Sequence, residues 1–187
     1  MASRERVVKY GSPVLRRRAD EIKEIDESIR KLADEMFVTL ERSRGVGLAA
    51  PQVGVPLRLI VLSIPQEDGT RWKAAVVNPE IVRRSGAVRS EEGCLSVPGV
   101  WEEISRAEAV ELKGLDLDGK EMRVKAEGIL ARAVQHELDH LDGILIVDRI
   151  GPLKRHVLKK HLKKLEESAA RDEGSSPHGT GRPAAEK

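Results

Sequence analysis

The residues best suited to chemistry are His136-Glu137-Leu138-Asp139-His140, two histidines four positions apart with a carboxylate beside the first. In a helix that spacing puts both imidazoles on one face, where each can offer a nitrogen to a single metal ion. Glu137 then stands close enough to handle a proton on water at that ion. A hydrolytic metal centre usually takes three protein ligands and keeps a fourth position for water. His156, His161, Glu166 and Glu167 follow in a Lys-rich stretch, where a solvated face is the simpler reading. Cys94, in Glu92-Gly93-Cys94-Leu95-Ser96, is the better third candidate: read alone it is an inert buried thiol, but a divalent metal held by two histidines would deprotonate it outright.

A third segment, Gly45-Val46-Gly47-Leu48-Ala49-Ala50-Pro51-Gln52, has small residues that let backbone approach a ligand and ends in a side-chain amide donor. It lacks the Lys-Ser/Thr ending of a phosphate loop and the spacing of a dinucleotide fingerprint. Taken alone, it reads more simply as a tight helix-to-strand connection.

The elements that must position these residues follow from hydrophobic period. Ile29, Leu32, Ala33, Met36, Phe37 and Leu40 fall at helical spacing between Asp26 and Arg44, and Gly45 stands where a stop is expected. Short β-branched runs follow, among them Leu57 to Leu62 and Ala74 to Val77, broken by Pro and Gly. Asp118-Gly119 between two alternating stretches, Ala109 to Leu115 and Met122 to Ala126, predicts a hairpin. Helical period returns from Gly128 to Leu141, with Gly143 as the stop, and this second helix carries the His136–His140 motif. Pro152 opens a third helix, whose stripe of Leu153, Val157, Leu158, Leu162 and Leu165 runs among Lys and Arg. Beyond Glu167 the apolar pattern stops, so the reading is one domain over residues 1–167 and a disordered tail over 168–187.

Composition bounds the partners. Hydrophobic residues are 40% of the 187 and charged ones 34%, with no apolar run long enough to span a membrane. Aromatics are 2%, which argues against base-stacking platforms for single-stranded nucleic acid. A net charge of +2 does not by itself imply a polyanionic partner. One cysteine excludes an internal disulfide, and Met1 to Tyr10 carries charge without an apolar signal core, so the expected compartment is the cytoplasm.

Together and in this order, Gly45 to Gln52, Glu92 to Ser96 and Gln135 to His140 resemble the three signature motifs of the peptide deformylases, with no substitution at a motif-defining position. The similarity runs from Val7 to about Lys164, and Ile146, where many relatives carry an aromatic, reads as a packing variation. The resemblance implies an α+β fold, with mostly antiparallel strands wrapped around a central metal-binding helix. It implies that Cys94, His136 and His140 bind one metal, natively Fe2+, with Zn2+ or Ni2+ able to replace it, and that Glu137 is the general acid/base. The Gln52 amide and the backbone N–H of Leu95 would stabilise an oxyanion, Gly47 and Gly93 would let the chain pass close to substrate backbone, and Ile129 and Ala133 would line a methionine pocket; Arg132 is nearby. The implied substrates are N-formyl-methionyl nascent polypeptides. The same helix could serve a metallopeptidase with another third ligand. The basic third helix, with Lys154, Arg155, Lys159, Lys160, Lys163 and Lys164, could instead meet phosphates, in a nonenzymatic RNA-binding module or as a ribosome-docking element of the enzyme.

Overall fold

The computed structural model describes residues 7–174. Helix α1 spans Glu27–Arg42; Asp26 caps it, its carboxylate accepting from the backbone N–H groups of Ser28 and Ile29 at 2.9 and 3.1 Å. Among the described residues the strands are β1 (Gly47–Ala49), β2 (Leu59–Pro65), β3 (Arg71–Ser85), β4 (Val88–Cys94), β5 (Val97–Arg106), β6 (Ala109–Leu115) and β7 (Glu121–Glu127). Helices α2 (Gly128–Leu141) and α3 (Pro152–Gly174) complete the described chain.

Strands β1, β2, β3, β6 and β7 form one antiparallel sheet in that spatial order, and β4 and β5 form a separate antiparallel hairpin. The β2 strand explains how two helices share the larger sheet. Its side chains alternate between faces: Ile60 and Leu62 join the core made with α2, while Leu59 and Val61 join the core made with α1. A strand covered on both faces reads as an unbroken apolar run, which is what Leu59 to Leu62 shows. A third core lies under the β4–β5 hairpin, where Val97, Val100 and Ile104 pack with Leu15, Leu145 and Leu162. Ile146 is buried in the same cluster, in keeping with a packing role.

The α2 helix begins and ends where its period and Gly143 predict; Gly143 has φ +75°. The β6–β7 turn is closed by Asp116, whose carboxylate accepts from the backbone of Asp118 and Lys120, both at 2.9 Å, with Gly119 at φ +79°. Two details differ from the sequence reading. The first helix ends at Arg42, because Arg44 takes a left-handed φ of +53°. The third continues past Glu167 to Gly174, and Ala169 is buried, so part of the expected tail is helical; residues 175–187 of that tail lie outside the described residues. No helix among the described residues is long and apolar enough to cross a membrane.

Candidate metal centre

Three donors converge where α2 meets the end of β4. The helix presents His136 and His140 one turn apart, with ring centroids 5.0 Å from one another. Pairing in the hairpin shifts register between Gly93 and Cys94, and Cys94 ends β4 with Sγ 3.3 Å from His140 Nε2. One ligand atom from each of Cys94, His136 and His140 lies within 4.8 Å of the others, a set able to hold a metal ion. The electrostatics suit that role. Burial opposes ionisation of the Cys94 thiol, but the imidazoles of His140 and His136 outweigh it and hold the thiol well below its ordinary value. Burial also opposes a charge on His136, and hydrogen bonds to Cys94 and Glu92 more than reverse it, raising that group, so a metal ion that binds there must displace the proton from the ligating ring nitrogen.

A set of buried charges supports His136 from behind. Its Nδ1–H donates to Glu92 at 3.1 Å. Burial would push the Glu92 carboxyl up, yet hydrogen bonds from His136 and Arg106 dominate and lower it to about 2. Arg106 grips Glu92 with two nitrogens at 3.0 Å each and donates a third bond to Asp139 at 2.6 Å. Arg149 reaches the same Asp139 with Nε at 3.0 Å. On the far side, Gln135 exchanges bonds with the backbone of Ala107 at 2.9 and 3.0 Å and fixes α2 to the chain between β5 and β6. Sequence reasoning missed Arg106, Asp139 and Arg149; the one signal was a charged residue, Asp139, amid the buried face of α2.

Gln52 lies buried in a short 3-10 turn after β1. Its Oε1 accepts from Ala49 N–H at 2.9 Å, which turns Nε2 toward Ser96 Oγ at 3.2 Å and Cys94 Sγ at 3.9 Å. The Glu137 carboxyl is raised by burial, against the opposite pull of His136 and His140. Its Oε2, and Nδ1 of His140, are buried without a hydrogen-bond partner among the described residues. Gly47 and Gly93 make room for side chains of this protein: a Cβ on Gly47 would lie 2.5 Å from Glu137 Oε1, and one on Gly93 would lie 2.9 Å from the Trp101 ring. In front of the centre opens a cavity of about 570 Å3, and Gly47, Gly93, Leu95, Ile129 and Ala133 all line it together with Gln52, Cys94, His136 and Glu137. His140 is behind the wall, and His161 is engaged elsewhere, 2.8 Å from the Pro98 carbonyl.

Residues 4–156 match the family model described as polypeptide deformylase. The chain belongs to the peptide deformylase family. The peptide deformylase of Thermodesulfovibrio yellowstonii is 48% identical over 157 residues, covering 84% of this chain and 95% of that one. That of Alkalilimnicola ehrlichii is 44% identical over 159 residues, 85% of this chain and 89% of the other. Among solved structures, a peptide deformylase from Legionella pneumophila superposes with a TM-score of 0.77 at 40% identity, covering 92% of this chain and 98% of its own. One from Ehrlichia chaffeensis in complex with actinonin gives 0.80 at 38%, covering 85% and 95%. Deformylases are metal-dependent hydrolases that remove the formyl group from N-terminal formyl-methionine, and this is the activity of the chain.

Proposed function

We propose that Cys94, His136 and His140 hold one divalent ion, ferrous iron in the cell with Zn2+ or Ni2+ able to replace it, and that Glu137 is the general acid/base of formyl hydrolysis. The observation that carries this reading is the thiol and two imidazoles within 4.8 Å of one another, beside a buried carboxylate oxygen that has no partner among the described residues. One thiolate and two neutral imidazoles suit a borderline-soft ion and leave a position for water. When bound, such an ion acidifies water and polarises the formyl oxygen as a Lewis acid. Glu137 takes the proton from the attacking water and returns it to the amine nitrogen as the formyl C–N bond breaks, releasing formate. A carboxyl raised by burial is suited to hold that proton between the two steps.

The Gln52 Nε2 amide and the backbone N–H of Leu95 stabilise the oxyanion that develops on the formyl oxygen. Ala49 fixes the Gln52 amide before substrate arrives, so little reorganisation is needed. Ile129 and Ala133 line the place of the methionine side chain, and Gly47 and Gly93 keep the walls thin beside the substrate backbone. The enzyme works in the cytoplasm on nascent chains, and its catalytic domain includes α3 to its end at Gly174. Docking on the ribosome through α3 is favoured by Lys159, Lys160 and Lys164, which are exposed and without an ion pair among the described residues. Replacing these three by Glu should weaken co-sedimentation with ribosomes, and undiminished binding contradicts the docking.

Metal content tests the ligand set. Protein purified anaerobically should carry one ion per chain, and Cys94→Ser should lose it on dialysis along with formate release from a formyl-Met tripeptide. Unchanged metal content and activity in Cys94→Ser would refute the assignment.

A further inference from the structure

We propose that Arg44 and Arg132 make this enzyme prefer formyl-methionyl chains with an acidic side chain just after the methionine. The inference rests on the deformylase reading and adds a substrate preference to it. Both arginines line the active-site cavity. Arg132 stands four residues before His136, so on α2 it shares the face that carries the first imidazole. It is half-buried, and its guanidinium has no hydrogen bond or ion pair among the described residues. A cation partly withdrawn from water without a counter-charge is the kind of group a ligand anion stabilises.

Arg44 gives the second, independent observation. It follows α1 with a φ of +53°, a conformation that favours glycine or asparagine and is uncommon for other side chains. This left-handed helix end places a long cation at the cavity, exposed and likewise without a side-chain partner among the described residues. The remaining charges of the lining do not cancel the pair. Lys9 adds a third cation, tied to the Leu95 carbonyl at 2.8 Å. Glu92 is committed to Arg106 and His136, and Glu137 is buried against Gly47, which leaves Glu91 as the one exposed acid of the lining. A peptide leaving the cavity therefore passes a rim in which cations outnumber free acids, a field that favours acidic side chains and disfavours basic ones.

The test compares kcat/KM for formyl-Met-Glu-Ala and formyl-Met-Lys-Ala, both amidated at the C-terminus so that only the side chain differs in charge. Exposed pairs are each worth a factor of about two to five, so the Glu peptide should be favoured about threefold to tenfold, mostly through KM. Raising the salt to about 0.5 M should compress the ratio, because the cations are screened. The Arg44→Gln, Arg132→Gln variant should bring the ratio to one, and Arg44→Glu, Arg132→Glu should invert it, which lost stability alone cannot do because it lowers both rates together. Formate at equal rates from the two peptides in wild type, or a wild-type ratio insensitive to salt, overturns the inference and leaves the deformylase reading intact. Formate from neither peptide overturns both.

Discussion

Gly47 and Glu137 lie so close that a methyl group on the glycine would come within 2.5 Å of the carboxylate oxygen. The glycine of β1 therefore sets where the Glu137 carboxylate can stand. Gly47→Ala should displace the Glu137 carboxylate while the Cys94, His136 and His140 donors stay in place. A misplacement of this size at a reacting group costs on the order of 100-fold in rate. The expected outcome is that loss in kcat with one metal ion still bound per chain, measured by steady-state kinetics beside elemental analysis. Metal loss matching the activity loss would show that Gly47 serves the ligands instead.

Gln52 offers a sharper test of transition-state binding. Its Oε1 is already engaged by Ala49, so the amide cannot turn freely. Gln52→Glu keeps the shape and removes the N–H donor. The loss should be about 2.7–4 kcal/mol of barrier, appearing in kcat with a small change in KM. A change confined to KM would mean that the amide binds ground-state substrate only.

The pairing of Glu92 with Arg106 and His136 should control metal affinity and stability together. Glu92→Ala removes the carboxylate that orients His136 and leaves Arg106, 4% exposed, short of a partner. Second-layer changes of this kind typically weaken a metal 10- to 100-fold, and breaking a buried ion pair costs about 3–5 kcal/mol. Chelator competition and urea unfolding read the two losses separately, and an unchanged metal affinity would contradict the orienting role.

Acid should weaken the tie between the N-terminal segment and the loop before α3. The Asp148 carboxyl is pushed up by burial, but hydrogen bonds from Arg16 and Leu145 N–H prevail and hold it below its ordinary value of 3.8. A depressed carboxyl contributes stability that is fully present above the unfolded value and is lost as pH falls through the folded one. Asp148→Asn should therefore lower Tm at neutral pH and reduce the fall in Tm at acid pH below about 4. Parallel curves for the two proteins would show that the pair contributes no pH dependence.

What the sequence made legible was local. The α2 boundaries follow from Leu130, Ala133, Val134, Leu138 and Leu141 in helical period, and the β6–β7 turn from Asp118-Gly119. Beyond local pattern, the resemblance carried by the three motifs in order implied that Cys94 joins His136 and His140, and their donor atoms lie within 4.8 Å of one another. Arg106, Asp139 and Arg149 stayed hidden because their pairing with Glu92 and one another spans three elements and has no period to betray it. The closeness of Gly47 to Glu137 was hidden for the same reason: it arises where β1 crosses α2, and the sequence pointed only to substrate. The extra length of α3 was missed because Ser168 to Asp172 lack an apolar stripe, although their helix propensity is adequate.

The central claim is tested most directly by formate release from a formyl-Met tripeptide, with protein loaded anaerobically with ferrous iron and Glu137→Gln run beside it. Formate from wild type, its loss in a Glu137→Gln protein that keeps its ion, and no cleavage of the same peptide without the formyl group are the predicted results. Cleavage of the unformylated peptide by wild type, with no formate from the formylated one, would contradict the account and make the centre that of a peptidase.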